Sequence, residues 1–295
     1  GVNITQLGSE PGQGPSVRIR GISSLIGGSD PLVVVDGIQG NMDLLNQVPP
    51  SEIESFDILK DASATAIYGS RGAPGVLIIT TKKNKAGKTT MEYIGSTSLD
   101  FIPKKLHMLN ADEWWATAQS VGVPASANHG SNTDWYGILT QTGISQTHTL
   151  SFGGGTDKFS YRASLTAILQ DGVVINSSNQ KYIGRIQATQ MGLDDKLKLT
   201  FNLNTGINNT TSIIQSVGTA AYTSNLITNA YLVRPTDPVF NTDGTYFTDS
   251  NVFQYLNPYA AAQTTTNEAQ NDNLFGSLKA DLDLARGLTA SWFGS

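Results

Sequence analysis

The connections between strand-like segments constrain this chain more than the segments do. Phe159, Tyr161, Ala163, Leu165 and Ala167 alternate with Ser160, Arg162, Ser164 and Thr166. Leu197, Leu199, Phe201, Leu203 and Ile207 alternate with Lys198, Thr200, Asn202, Asn204 and Asn208. Leu274, Leu278, Ala280, Leu282 and Leu284 alternate with Ser277, Lys279, Asp281 and Asp283. Weaker segments lie at 88–101, 144–152 and 180–191, and another begins at 288. The links run long (102–143), short (153–156), medium (170–179), short (192–195), long (209–273), short (285–287). Every second one is a tight turn, such as Gly153-Gly154-Gly155-Thr156 or Gly192-Leu193-Asp194-Asp195. A sheet whose links sort by parity has two unlike ends, as transmembrane barrels do, with short turns on one side and longer loops on the other. A secreted β-sandwich shares the alternation but has no reason to sort its loops. Segment length agrees, since a globular strand is usually about 5–6 residues and a tilted crossing needs about 9–11.

Composition removes other classes. Charged residues are 15%, against about 25% in an average soluble domain, and Gly, Thr, Asn, Ser and Gln fill the gap. A net charge of −5 argues against a broad basic face for nucleic acid. There is no Cys, so neither disulfides nor thiolate metal sites arise. No apolar run approaches the roughly 18 residues of a membrane helix, a test that does not bear on strands. The opening Gly1-Val2-Asn3 has neither Met nor a basic stretch, which reads as a processed or trimmed product.

Residues 1 to about 83 follow a different grammar, that of a compact α+β unit. Ser16 to Gly21 alternates and breaks at Gly. Pro31-Leu32-Val33-Val34-Val35-Asp36-Gly37 reads as a strand buried on both faces and closed by an Asp-Gly turn. Ser55–Leu59 predicts another strand, Asp61 caps a short helix through Tyr68, Gly69 stops it, and Gly75–Thr81 returns as a strand. The expected domains are 1–85 for this unit and 86–295 for the barrel strands. If the tight turns are periplasmic, the segment at 88 starts on that side and the first unit sits inside the barrel or beneath it. A plugged lumen belongs to barrels of about 22 strands, so the six or seven segments here are expected to be part of a larger wall.

The first unit also carries a resemblance. Ser16-Val17-Arg18-Ile19-Arg20-Gly21, Asp30 to Gly37, Ile53-Glu54-Ser55 and the block Leu59 to Ala73, followed by Gly75-Val76 and Thr80-Thr81-Lys82-Lys83, resemble the plug of SusC/RagA-type TonB-dependent transporters. The Asn257-Pro258 region and the downstream alternation look like the start of that family's barrel. The resemblance implies an α+β plug followed by antiparallel strands of a transmembrane β-barrel of about 22 strands, in the outer membrane of a Gram-negative, Bacteroidetes-type bacterium. It implies import of glycan or peptide, a SusD-like surface lipoprotein as lid, TonB energised by ExbB/ExbD, and no cofactor. One departure is Pro74, where the family has Asn; it fixes φ near −65° and removes a donor, so a local turn change is expected. A siderophore or cobalamin receptor is the rival within the fold, and a secreted β-rich adhesion or structural protein the rival outside it.

Catalytic readings find little support. His107, His129 and His148 are scattered, with no His-Glu-x-x-His and no acidic partner at ligand spacing, and no Gly-x-Ser-x-Gly elbow occurs. Gly69-Ser70-Arg71-Gly72 lacks the Lys-Ser/Thr of a phosphate loop, and no metal site is expected. The plug signature comprises Arg18, Arg20, Gly21, Asp36, Gly37, Lys60, Asp61, Tyr68, Gly69, Arg71, Gly72 and Gly75. Its charged members Arg18, Arg20, Lys60, Asp61 and Arg71 either join a plug–wall ion-pair network or hold the plug's own turns, and both require partners. Loops 22–30 and 37–47 offer Ser23, Ser24, Ser29, Asp30, Asn41 and Asp43 toward a ligand, residues that equally suit solvated turns. Asn110-Ala111-Asp112-Glu113 predicts a capping box opening a helix with Trp114 and Trp115. With Trp135 and Tyr136 these rings either stack on sugars or anchor the loop. Phe101, Phe159, Tyr161, Tyr182 and Phe201 fit an interfacial girdle.

Overall fold

A computed structural model describes residues 2–5, 10–14, 16–19, 30–60, 62–83, 87–213, 217–219, 222–249, 251–252 and 256–295. The first unit opens with β1 (Val2–Thr5), paired antiparallel to β2 (Ser16–Ile19). A four-stranded sheet follows in the order β4-β3-β6-β5, from β3 (Leu32–Val35), β4 (Ile38–Gly40), β5 (Ile53–Leu59) and β6 (Val76–Thr81). Its helices are α1 (Met42–Asn46) and α2 (Ala62–Tyr68).

All four residues of β3 are buried, and the sheet shows why an unbroken apolar run was needed. Val33, Val35, Leu77 and Ile79 face Leu44, Val48 and a ring from the barrel wall, Phe275. Leu32, Val34 and Val76 face Ala64 and Tyr68 on the opposite side. β3 and β6 are parallel, Leu32 opposite Val76 through Val35 opposite Ile79. Asp36 and Gly37 both take positive φ (49° and 92°) and make the two-residue turn from β3 to β4, a conformation that favours Asp-Gly. Gly69, at φ 63°, follows α2 as expected of a helix stop. Gly72 packs so closely that a Cβ would lie 2.7 Å from the Ala64 carbonyl oxygen.

The remainder builds one seven-stranded antiparallel sheet in the order β15-β14-β11-β10-β9-β8-β7. Its members are β7 (Gly87–Asp100), β8 (Gly143–Gly155), β9 (Phe159–Asp171), β10 (Ser178–Gly192), β11 (Leu197–Thr211), β14 (Glu268–Ala285) and β15 (Leu288–Gly294). Two short strands, β12 (Val217–Thr219) and β13 (Tyr222–Ser224), pair with each other inside the link from β11 to β14. The β10–β11 turn is tight because Leu193, Asp194 and Asp195 all take positive φ (52°, 54°, 67°).

This barrel-like sheet following a plug bears out the expected fold class. Three details differ. The segment 37–47 is not a loop, since it holds β4 and α1, and Asn41 caps α1 by accepting the Asp43 backbone N–H at 3.1 Å. Gly153–Gly155 belongs to β8 rather than to a turn, and the last long link shortens to 212–267. Both shifts move the boundary outward, because a ladder continues as long as its partner strand supplies donors and acceptors. Among the described residues no helix is long and apolar enough to cross a membrane, which says nothing of crossing by strands.

Candidate functional site

The two faces of the large sheet have opposite character. Leu165 and Leu274 are 65% and 69% exposed on one face, with Ile186, Phe201 and Leu278 beside them. The polar residues of the same strands are the buried ones: Thr149, Ser151, Ser164, Thr166, Asn179, Asn204 and Ser277. A water-soluble sheet does the reverse. Polar-in and apolar-out suits a wall that shows its outside to hydrocarbon and its inside to a wet lumen.

The plug lies against this polar face. Glu52, the last residue of the 3-10 turn Pro50–Glu52 that leads into β5, accepts from both arms of the Arg162 fork, Nη2 to Oε1 at 2.8 Å and Nε to Oε2 at 3.2 Å. Both side chains are nearly enclosed, 3% and 11% exposed, and Arg162 Nη2 also donates to Ser151 Oγ at 3.1 Å. Asp36 accepts the Thr81 amide at 3.0 Å and its hydroxyl at 2.6 Å, and meets Arg185 Nη2 at 3.4 Å. Lys181 Nζ donates to the Asn46 carbonyl at 2.8 Å, and the Ser51 and Thr149 hydroxyls are 3.0 Å apart. Arg185 Nε and Nη1 are buried without a protein partner. They adjoin a cavity of about 30 Å³ lined by Asp36, Glu52, Arg162, Arg185, Gln187 and Asn202 among others, room enough for a water molecule.

The long links meet at the opposite end from the tight turns. Helices α3 (Ala111–Ser120), α4 (Trp135–Ile138), α5 (Leu226–Leu232) and α6 (Pro258–Thr264) belong to them. Trp135, Leu139, Leu226, Ala230, Val233 and Ala262 form one buried cluster, with Val174 and Ile175 from the medium link packed on it. Backbone bonds tie the loops together: Ser131 N to Thr236 O at 3.2 Å, Thr133 N to Pro235 O at 2.8 Å and Gln141 N to Val173 O at 2.9 Å. His129 Nδ1 lies 2.9 Å from Asp237 Oδ1 and Arg234 Nη1 lies 3.3 Å from Asp249 Oδ2.

Burial works to raise the Asp249 carboxyl pKa. The Asn251 backbone and side-chain N–H groups, with Arg234 and His129, outweigh it and hold the group below its ordinary 3.8. A depressed carboxylate stabilises the fold above its unfolded pKa and loses that contribution as pH falls through the folded value. Hydrogen exchange around 249–252, corrected for intrinsic rate, is therefore expected to accelerate only below about pH 4. Asp249→Asn should remove that step.

The sequence-predicted residues divide unevenly over this geometry. Arg20, Gly21, Ser23, Ser24, Ser29 and Asp61 lie outside the described residues. Asp36 reaches the seam, and Gly37 lies beneath the Phe293 ring, 3.1 Å from where its Cβ would stand. Tyr68, Gly72 and Gly75 pack within the plug, and Lys60 is half-buried. Arg18 and Arg71 are exposed, and among the described residues neither makes an ion pair. Arg71→Ala is thus expected to change plug stability by no more than about 0.5 kcal/mol, read as an unchanged denaturant midpoint. Asp30, Asn41 and Asp43 are exposed, the last two bonded to each other. The capping box at Asn110 and Glu113 forms as expected. Trp114 and Trp115 are half-buried and stack on each other at 6.4 Å, while Tyr136 stacks on Tyr231 at 5.1 Å. Trp135 is 3% exposed and donates its indole N–H to Arg234 O at 2.9 Å. So buried, it leaves no ring face open to a sugar.

Sequence reasoning missed Glu52, Arg162 and Arg185. Arg162 and Arg185 occupy inward positions of alternating strands, Arg185 sharing its face with Lys181, and a charge there needs a counter-charge inside. That was the signal. His129 likewise has an acidic partner, Asp237, supplied by a loop 108 residues away. Among the described residues no cluster of three His, Asp or Glu fit for a metal occurs.

The family profile described as TonB-dependent Receptor Plug Domain matches residues 1–76. A TonB-dependent receptor, P3, of Formosa agariphila is 36% identical over 95% of this chain and 28% of its own length. The TonB-dependent receptor SusC of Bacteroides thetaiotaomicron is 33% identical over 95% of this chain and 30% of its own length. Among solved structures, that of the RagAB peptide transporter superposes with a TM-score of 0.80 at 26% identity, over 99% of this chain and 37% of that one. The chain thus spans under a third of the length of these curated relatives.

Proposed function

This chain has the plug domain and first wall strands of a SusC/RagA-type TonB-dependent receptor, and on that premise we propose that the protein it belongs to is an energised importer of the outer membrane. The observation that carries the reading is a separately folded α+β unit held by ion pairs against the polar face of a sheet whose other face is apolar. Such a unit blocks passage while seated and admits cargo when pulled aside. The division falls after residue 85, with the plug before it and the wall after it. No catalytic step is assigned. The relatives are receptors and transporters rather than enzymes.

The cargo is an oligomeric polar nutrient, glycan or peptide. Peptide is supported by the RagAB neighbour, and the amides and hydroxyls of the inward face serve either class through hydrogen bonds. TonB, driven by ExbB/ExbD, supplies the pull, and a SusD-like lipoprotein covers the outer loop layer. Deleting the full-length gene in its host should abolish growth on one oligosaccharide or peptide mixture while leaving growth on its monomers intact. Unchanged growth on every oligomer offered would refute import. Affinity purification of the full-length protein should also bring down a surface lipoprotein.

A further inference from the structure

Arg162 and Arg185 sit on neighbouring strands, both facing inward. In register Arg162 is opposite Gln187 and Arg185 is opposite Ser164, so the two guanidiniums are diagonal neighbours, about 7–8 Å apart at their Cα atoms. Like charges so placed repel. What neutralises them comes from the plug: Glu52 on Arg162 and Asp36 on Arg185. Among the described residues the wall itself offers Arg162 only Glu92, at 3.7 Å and 50% exposed, and offers Arg185 no carboxylate. Arg185 also holds two N–H groups, on Nε and Nη1, buried and unused.

The geometry points to an oxyanion-binding site on the lumen wall, formed by Arg162 and Arg185, for which the plug carboxylates Glu52 and Asp36 are resident stand-ins. The site opens only as the plug leaves, which rests on the gating proposed above. It then takes carboxylate or sulfate groups on passing cargo: a peptide C-terminus or acidic side chain, a uronate, or a sulfated sugar. A planar guanidinium fork matches these oxyanions in a way a chloride ion does not. Arg185 contributes most, because it lines the cavity and two of its buried donors have no partner.

A ligand of the two wall arginines binds the plug-released state and so shifts the seating equilibrium toward release. The plug-unfolding midpoint of the full-length protein is read in added sodium acetate, sodium sulfate or sodium chloride at equal ionic strength. Acetate or sulfate at about ten times its Kd should lower the midpoint by about 6–11 °C, chloride by less than 1 °C. R162Q/R185Q in the same background should abolish the difference. Acetate exceeding sulfate assigns the site to carboxylate cargo, and the reverse order to sulfated glycan. Equal shifts with all three salts reduce the effect to screening and overturn the proposal, as does no shift. A growth-neutral gene deletion would instead overturn the import reading while leaving the salt result intact.

Discussion

Arg162→Ala should loosen the plug from the wall by about 3–5 kcal/mol, the range seen when one partner of a buried ion pair is removed. The cost arises mainly on the other side of the seam. Glu52 is 3% exposed and loses both N–H donors at once, leaving a carboxylate in a place water reaches poorly. Ser151 loses its donor as well. Arg185→Ala should cost less, about 1–2 kcal/mol, although it is equally buried. Its contact to Asp36 is a single one at 3.4 Å, and Asp36 keeps both bonds from Thr81. The measurement is plug unfolding in denaturant on the full-length protein, followed by exchange of the β5 and β6 amides. A smaller loss for R162A than for R185A would show that bond geometry does not rank these pairs. Replacing both members, as R162M/E52M, should recover most of the loss, since a matched apolar pair leaves no stranded charge.

The ease of reading the two halves from sequence follows from how local their causes are. β3 was legible because four consecutive apolar residues must be covered on both faces, and they are, by α1 with Phe275 on one side and α2 on the other. The wall strands were legible because alternation is a two-residue period and each turn is short. The seam was not. Glu52 is followed by Ile53 to Leu59, and nothing nearby says that its partner lies 110 residues on. An ion pair between separately folded units leaves only half its pattern in each. The basic signature residues drew attention because they cluster in sequence, yet Arg18 and Arg71 point to solvent, while isolated charges in the wall make the contact. The segment 37–47 hid a helix because Asp-Gly and Asn residues mark a turn and a cap equally, and only tertiary cover by Leu44 decided the matter.

Trp135→Ala should cost the outer loop layer about 3–5 kcal/mol without a comparable effect on the sheet. Three terms add. The ring is 3% exposed among Leu139, Leu226, Ala230, Val233 and Ala262, so its removal leaves a cavity that surrounding loops fill poorly. The Arg234 carbonyl loses its indole donor. The third term is cooperativity: the layer is assembled from links of strands far apart in sequence, and Trp135 is where the α4, α5 and α6 segments converge. A layer this small has little other apolar cover, so a loss of that size melts it rather than denting it. Limited proteolysis should then cut within 101–142 and 212–267 while β8 to β11 stay intact, because their ladders run Gly143–Gly155 through Leu197–Thr211 without using the cluster. Trp135→Phe keeps most of the volume and loses only the N–H, so it should cost about 1–2 kcal/mol and leave the loops resistant. If Trp135→Ala opened the strand region as early as the loops, the two would be one cooperative unit, and the outer layer could not rearrange over cargo while the wall stands still.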